Sequence, residues 1–289
     1  MRPSVSIVVC TRNRAGALKD CFAAIQCMEG EFELIVVDNG SEDDTRKVIE
    51  EFTGNGVFPV RYILEPTKGL ATARNTGWRA AKGDLIAFTD DDCYPDVSFV
   101  RAIIEEFKDE PKLGYVGGRI MLHDPEHLPI TIKESMVKEK ISPLSYIPAG
   151  TIHGANLTIR RDALQASDGF DELLGAGTPF PSEDIEMVAR LSSLGYPGVY
   201  SPRPVVRHNH GRKTITEKEA LERDYDFGRG AYYATCAINK APGKWVLRLW
   251  LSSMRRRPIR SSLREIAGAL GYLRARYRAR GESAGQQDS

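Results

Sequence analysis

Three short clusters along this chain carry residue types able to do chemistry: Asp90-Asp91-Asp92, Glu183-Asp184 and His208-Asn209-His210. Adjacent carboxylates repel one another unless a cation shares them. Oxygen-rich ligands of this kind favour Mg²⁺ or Mn²⁺, shared with a phosphate-bearing substrate. In an extended segment Asp90 and Asp92 point to one side and can hold the metal, while Asp91 faces elsewhere, for instance toward a sugar hydroxyl. An exposed acidic turn ahead of Pro95 is the alternative. His208 and His210 share a face by the same alternation, and a neutral imidazole is a common ligand for Mn²⁺. Surface placement of both is the alternative. Glu183 and Asp184 follow Ser182, which suits either a capped first helical turn or a general base. Arg74 and Lys68, near Gly69, offer cations and a permissive backbone for phosphate.

Such residues need a scaffold that gathers distant positions. Apolar, β-branched runs at 4–10 (SVSIVVC), 32–37 (FELIVV), 60–64 and 84–88 (DLIAF) read as buried strands. Between them, 14–28 places Leu18, Phe22 and Ile25 at helical spacing. A second helix is expected to about residue 52, with Ser41 as N-cap and Asp44 three residues on, and a third over 71–81. Strand–helix alternation predicts an α/β fold with a mostly parallel central sheet and helices on both faces. Right-handed crossovers then put the loops after all four strands on one edge, where open sheets bind ligands. After residue 112 the pattern changes. Strands are expected at 115–122 and 154–159, separated by a Pro-rich polar stretch at 123–148 long enough to be a functional loop. A helix at 182–194 and a short strand at 205–208 follow, and 217–280 reads as helical, broken near Pro242 and Pro258.

Composition narrows the class. With 289 residues, 42% hydrophobic and 27% charged, the chain is not disordered, collagen-like or disulfide-stapled. Its five cysteines are scattered without a Cys-x-x-Cys pair, which suits reduced thiols better than a disulfide framework or zinc site. No run reaches the roughly 18 apolar residues of a membrane span. Met1-Arg2-Pro3-Ser4 leads directly into the first strand, so a cytoplasmic protein without a secretory signal is expected. Residues 243–289 carry 11 Lys and Arg against 3 Asp and Glu, a net +8, leaving −7 for the rest. A basic tail on an acidic body suggests an anionic partner, a solvated helical face being the alternative.

Taken in order, SIVVCTRNR (6–14), VVDNGS (36–41), GLATARN (69–75), FTDDD (88–92), GAN (154–156), GFDE (169–172) and SED (182–184) resemble the inverting nucleotide-sugar glycosyltransferases of family 2. The resemblance covers about residues 4–212. It implies a GT-A type nucleotide-binding fold, with a nucleotide-binding half at about 1–112, an acceptor-binding half at about 113–215, and a helical, basic extension over 216–289. Thr11 and Asp38 would line the base pocket, with Asp38 accepting a hydrogen bond from the base. Arg14, Arg74 and Lys68 would lie on the nucleotide side. Asp90 to Asp92 match the family's Asp-x-Asp motif: Asp92 is the leading metal ligand, Asp90 a second, and Asp90 or Asp91 would approach the ribose. His208 matches a position that supplies a metal ligand in some members, with His210 as the competing choice. Asp184 matches the catalytic base, and Glu183, Gly154 and Asn156 would hold the acceptor. The implied reaction is a direct, inverting displacement on a nucleotide-diphosphate sugar, a UDP-sugar first, using Mg²⁺ or Mn²⁺. A glycan or lipid-linked acceptor of the cell envelope would receive the sugar.

Two other classes compete. A nucleotidyltransferase acting on sugar phosphates would carry a glycine-rich basic loop after the first strand, where this chain has Gly16 alone. A non-catalytic sugar-nucleotide-binding module would keep expensive buried carboxylates without a task. In the tail, Trp245, Leu247, Leu249, Trp250, Leu251 and Met254 precede Arg255-Arg256-Arg257, which suits a helix on an anionic membrane surface at the inner face of the cell membrane. Packing on the catalytic body or in a homodimer is the alternative. The acidic body and the lack of a recognition motif argue against nucleic acid.

Overall fold

Alternate residues of the first strand, β1 (Val5–Thr11), serve two cores: Val5, Ile7 and Val9 enter one, Val8 the other. That is the two-residue period of a strand covered on both faces. The computed structural model describes residues 4–54, 58–239 and 243–287. Around β1, the strands β2 (Phe32–Asp38), β3 (Val60–Leu64) and β4 (Leu85–Asp90) run parallel in the order β3-β2-β1-β4. Helices α1 (Ala15–Gln26), α2 (Thr45–Thr53) and α4 (Phe99–Asp109) supply Leu18, Val48 and Phe99 to the first core. Helices α3 (Leu70–Ala80), α5 (Arg161–Ser167) and α6 (Glu183–Ser193) supply Ala73, Leu164 and Val188 to the second. Register puts Thr11 beside Asp38 and Cys10 beside Asp90, so the three strand ends share one edge.

Beyond β4 the sheet becomes mixed. β8 (Asn156–Arg160) lies antiparallel to β4, followed by β6 (Tyr115–Leu122), β9 (Gly198–His208) and β5 (Cys93–Pro95), while β7 (Glu139–Ile141) pairs with β9. Antiparallel neighbours need no helical crossover, which is why strand–helix alternation reveals only the parallel half. β9 is 11 residues long, where the sequence suggests only 205–208. Pro202 and Pro204 hide it: they fall where the register with β6 slips, between Tyr200 and Val205, and a bulge tolerates prolines. β7 lies inside the stretch read as loop. Ser41 is not at the N-cap of α2; Asp44 is, without a side-chain cap bond, while the Ser41 amide donates to Asp38 Oδ1 and its hydroxyl accepts from the Asn13 amide.

The C-terminal helices dock on the sheet domain. α7 (Ile215–Ile238) opens with a capping box, in which Thr214 and Glu217 satisfy each other's amides. α8 (Gly243–Met254) and α9 (Ile259–Gln287) are separated around Pro258, as expected; Pro242 lies outside the described residues. Gly230 on α7 and Gly268 on α9 let the two backbones meet, since a Cβ at either would collide with the other helix. At this contact the buried Glu265 accepts from Arg229 Nε (2.8 Å), Arg257 Nη1 (3.0 Å) and Trp250 Nε1 (2.8 Å).

Candidate active site

A cavity of about 430 Å³ opens where β1 and β4 end, and its walls come from both halves of the sheet domain. One wall is the acidic triplet. β4 stops at Asp90 and the chain turns through Asp91 and Asp92 into β5. Because of that turn, all three carboxylates line the cavity instead of alternating sides, which corrects the expectation that Asp91 faces away. Asp91 accepts a hydrogen bond from Thr11 Oγ1 (2.7 Å) and faces Arg14 Nε at 3.3 Å. Arg14 Nη2 also donates to Asp92 Oδ2 (2.7 Å), so one guanidinium from α1's start bridges two of the acids.

Strand pairing brings in the histidine. Cys93 pairs with His208 across β5 and β9, and the His208 Nε2 lies 3.3 Å from Asp92 Oδ1. Its Nδ1 sits 3.3 Å from Thr131 Oγ1. His210 does not line the cavity: its Nδ1 accepts from the Arg212 amide, and its ring packs on His127 and, edge to face, on His208. Ligand atoms of Asp90, Asp92, Cys93 and His208 lie within 4.8 Å of one another. Two carboxylates and an imidazole suit Mg²⁺ or Mn²⁺. The Cys93 thiol, its pKa pushed far up by burial, is a poor oxygen-site ligand behind them.

The opposite wall belongs to α6 and the loop before β8. Asp184 Oδ2 accepts from the Gly154 amide and its Oδ1 from the Ile185 amide, both at 2.7 Å. Gly154 is required there, because a Cβ would lie 2.6 Å from Arg74 Nη2. Arg74, 3% exposed, joins the walls: Nη1 donates to Glu183 Oε1 (2.8 Å) and Nη2 to Asp90 Oδ1 (3.2 Å). His153 and Tyr225, neither singled out in the sequence, complete this side. Burial pushes the His153 pKa down against the pull of Asp184, keeping its imidazole neutral. Tyr225 belongs to α7, so the expected boundary near residue 215 does not separate the extension from the cavity.

Burial raises Asp91 from 3.8 to about 7 despite Arg14 and Thr11, and raises Glu183 from 4.5 to about 7 despite Arg74. Burial opposes ionisation of Asp92 too, yet His208 and Arg14 together bring it down to about 2. Three residues expected at the site do not line the cavity. Asp38 closes its own turn through the Ser41 amide and accepts from the Tyr62 hydroxyl (3.3 Å), while the neighbouring Asn39 reaches the cavity. Asn156 spends its side-chain NH₂ on the carbonyls of Arg119 and Pro204, which ties β8 to β6 and β9. Lys68 is exposed; Gly69 and Leu70 line the wall beyond it.

Residues 6–167 match the profile of glycosyl transferase family 2. The chain belongs to that family. The match takes in the acidic triplet and ends before Glu183, Asp184 and His208. Among similar family proteins, a pre-mycofactocin glycosyltransferase of Mycobacterium tuberculosis is 28% identical over 218 residues, spanning 71% of this chain and 43% of that protein. The O-antigen chain rhamnosyltransferase WbaN of Salmonella anatum is 26% identical over 239 residues, spanning 78% of this chain and 71% of its own. This chain thus spans less than half of the mycobacterial relative. Solved structures of similar fold include the mannosyltransferase PcManGT of Pyrobaculum calidifontis in complex with GDP-Man and Mn²⁺, at TM-score 0.66 and 19% identity, covering 99% of this chain and 81% of that one. S. aureus TarS 1-349 in complex with UDP-GlcNAc has TM-score 0.63 and 17% identity, covering 84% and 69%. The fold of this family 2 chain is accordingly of GT-A type.

Proposed function

We propose that this family 2 chain is an inverting hexosyltransferase that moves a sugar from a nucleotide-diphosphate donor, a UDP-sugar first, to an acceptor hydroxyl on a glycan or lipid-linked carrier. The observation that carries this reading is one cavity lined by both Asp184 and the Asp90, Asp92 and His208 set. The fold neighbours with GDP-Man and Mn²⁺ and with UDP-GlcNAc support a sugar nucleotide and a divalent cation in general.

Asp90, Asp92 and His208 would hold the cation. When bound, a divalent cation supplies positive charge to the diphosphate leaving group. The chain's own residues do the rest. Arg14 offsets the charge on Asp91 and Asp92, and Arg74 ties Asp90 to Glu183, so the acidic wall keeps its shape before any ligand enters. Each Asp184 oxygen accepts one backbone amide and retains a lone pair for an incoming proton. The acceptor oxygen attacks the anomeric carbon as the bond to the diphosphate oxygen breaks. Its proton goes to Asp184 and the bonding electron pair leaves with the diphosphate. Attack from the face opposite the leaving group inverts the anomeric carbon.

A panel of nucleotide sugars, each tested with and without Mn²⁺ for thermal stabilisation, identifies the donor. NMR of the product with that donor then reads the anomeric configuration. Inverted configuration fits the reading; retention, or no nucleotide sugar that stabilises the protein, overturns it.

A further inference from the structure

The sequence directs attention to α8 for contact with an anionic surface, but the clearest unpartnered face lies on α9. On α8, Val246 is buried, and Trp250 stacks on Tyr233 and bonds Glu265, so part of the apolar run belongs to the body. The side chain of Trp245 lies outside the described residues. On α9, Ile259, Leu263, Ile266, Leu270, Leu273 and Tyr277 are 39 to 81% exposed. Their spacing alternates four and three residues, which at about 100° per residue draws one stripe roughly 80° wide along the helix.

The opposite face of α9 is occupied: Glu265, Ala269 and Tyr272 are buried against the body. The stripe is therefore not a misplaced core seam. Leu270, Leu273 and Tyr277 line a shallow depression of about 290 Å³, with Arg274 and Arg278 on its rim. Arg260 falls on the same flank. Arg260, Arg274 and Arg278 form no ion pair among the described residues.

Charge selects the occupant. Between Ile259 and Gly281 the only carboxylate is Glu265, which is buried, so the exposed face carries cations without anions. A two-fold contact with a second copy would bring that arginine flank to its like. No helix among the described residues is long and apolar enough to cross a membrane. An apolar stripe beside a basic flank fits a helix lying in the plane of an anionic bilayer. We propose that α9 is a docking surface for an anionic lipid bilayer, with Leu263, Ile266, Leu270, Leu273 and Tyr277 entering the interface and Arg260, Arg274 and Arg278 meeting the headgroups. This proposal stands apart from the transfer chemistry.

The test is sedimentation of the full chain with vesicles of phosphatidylcholine alone or mixed with phosphatidylserine, at low salt. The expected result is pelleting with the mixed vesicles only. Each arginine changed to glutamine weakens that binding about fivefold, and R260Q/R274Q/R278Q together weaken it roughly a hundredfold. L263S/L270S/L273S should lose it too, with the arginine triple variant, confined to exposed side chains, as the control whose circular dichroism and melting match the parent. Protein that stays in the supernatant, or variants that pellet like the parent, overturn the proposal. A concentration-dependent dimer in analytical ultracentrifugation that the leucine variant dissolves, without vesicle binding, also overturns it and assigns the stripe to a second copy.

Discussion

The two walls of the cavity hold their carboxylates by different means. On the triplet side, Asp90 faces Arg74, Asp91 faces Arg14, and Asp92 faces Arg14 and the His208 imidazole. On the facing side Asp184 is held by two neutral backbone amides. Of the carboxylates paired with a cation, only Asp92 falls, to about 2, because Arg14 and His208 both bond it; Asp91, with Arg14, stays raised at about 7 by burial. One held by backbone donors is oriented without that charge, and losing it leaves the buried Gly154 amide unpaired at a cost of about 1–3 kcal/mol. The contrast separates an electrostatic wall, whose changes register in stability and metal binding, from a chemical wall, whose changes register chiefly in rate.

The largest separation is expected for Asp184→Asn. Turnover should fall about 10²- to 10⁴-fold, the usual worth of a general base, while donor binding changes little and stability falls by about 1–2 kcal/mol, because the amide NH₂ meets one of the two backbone donors. Donor binding that disappears together with turnover would merge the two walls. Arg74→Met should act in the opposite sense, leaving the buried Glu183 and the part-exposed Asp90 without their shared cation at a cost of about 3 kcal/mol in urea unfolding. His208→Ala should weaken Mn²⁺ binding roughly 10- to 100-fold in a calorimetric titration, with His210→Ala, which removes only a ring packed on His208, the matched control with a smaller loss.

The smallest effect is a pH dependence. Glu183, raised to about 7, is protonated in the folded chain over a range where the unfolded chain has already ionised it. Its contribution to stability is complete below about 4.5 and is lost as the pH rises through 7. Between pH 5 and 7.5 the parent should therefore lose stability relative to Glu183→Gln, by on the order of 1 kcal/mol in chemical denaturation. Parallel curves for the two proteins would place the charge elsewhere.

The same contrast marks what sequence can reveal. β1 to β4 are readable because a parallel strand covered on both faces is mostly apolar, as residues 32–37 illustrate with Glu33 the one charged residue. β5, only three residues long, has no periodicity to detect, yet it aligns His208 with Asp92. α4 and α5 also passed unnoticed, the latter at seven residues and directly continuous with β8. Residue type and spacing single out Asp184, but the amide that holds it, Gly154, comes from 30 residues away, a contact that only the folded chain makes. His153 and Tyr225 had no signal at all, since a lone histidine and a helical tyrosine look alike wherever they fall. Asp38 and Asn156 show the reverse case. Both sit in segments that resemble the family, and both bond the backbone, Asp38 within its own turn and Asn156 across to β6 and β9.

The measurement closest to the central claim is a crystal structure with Mn²⁺ and the nucleotide sugar that stabilises the protein most. The account requires a cation in contact with Asp92 and His208, and an anomeric carbon between that cation and the Asp184 carboxylate. A cation bound away from the triplet, or a sugar whose anomeric carbon faces away from Asp184, would contradict it.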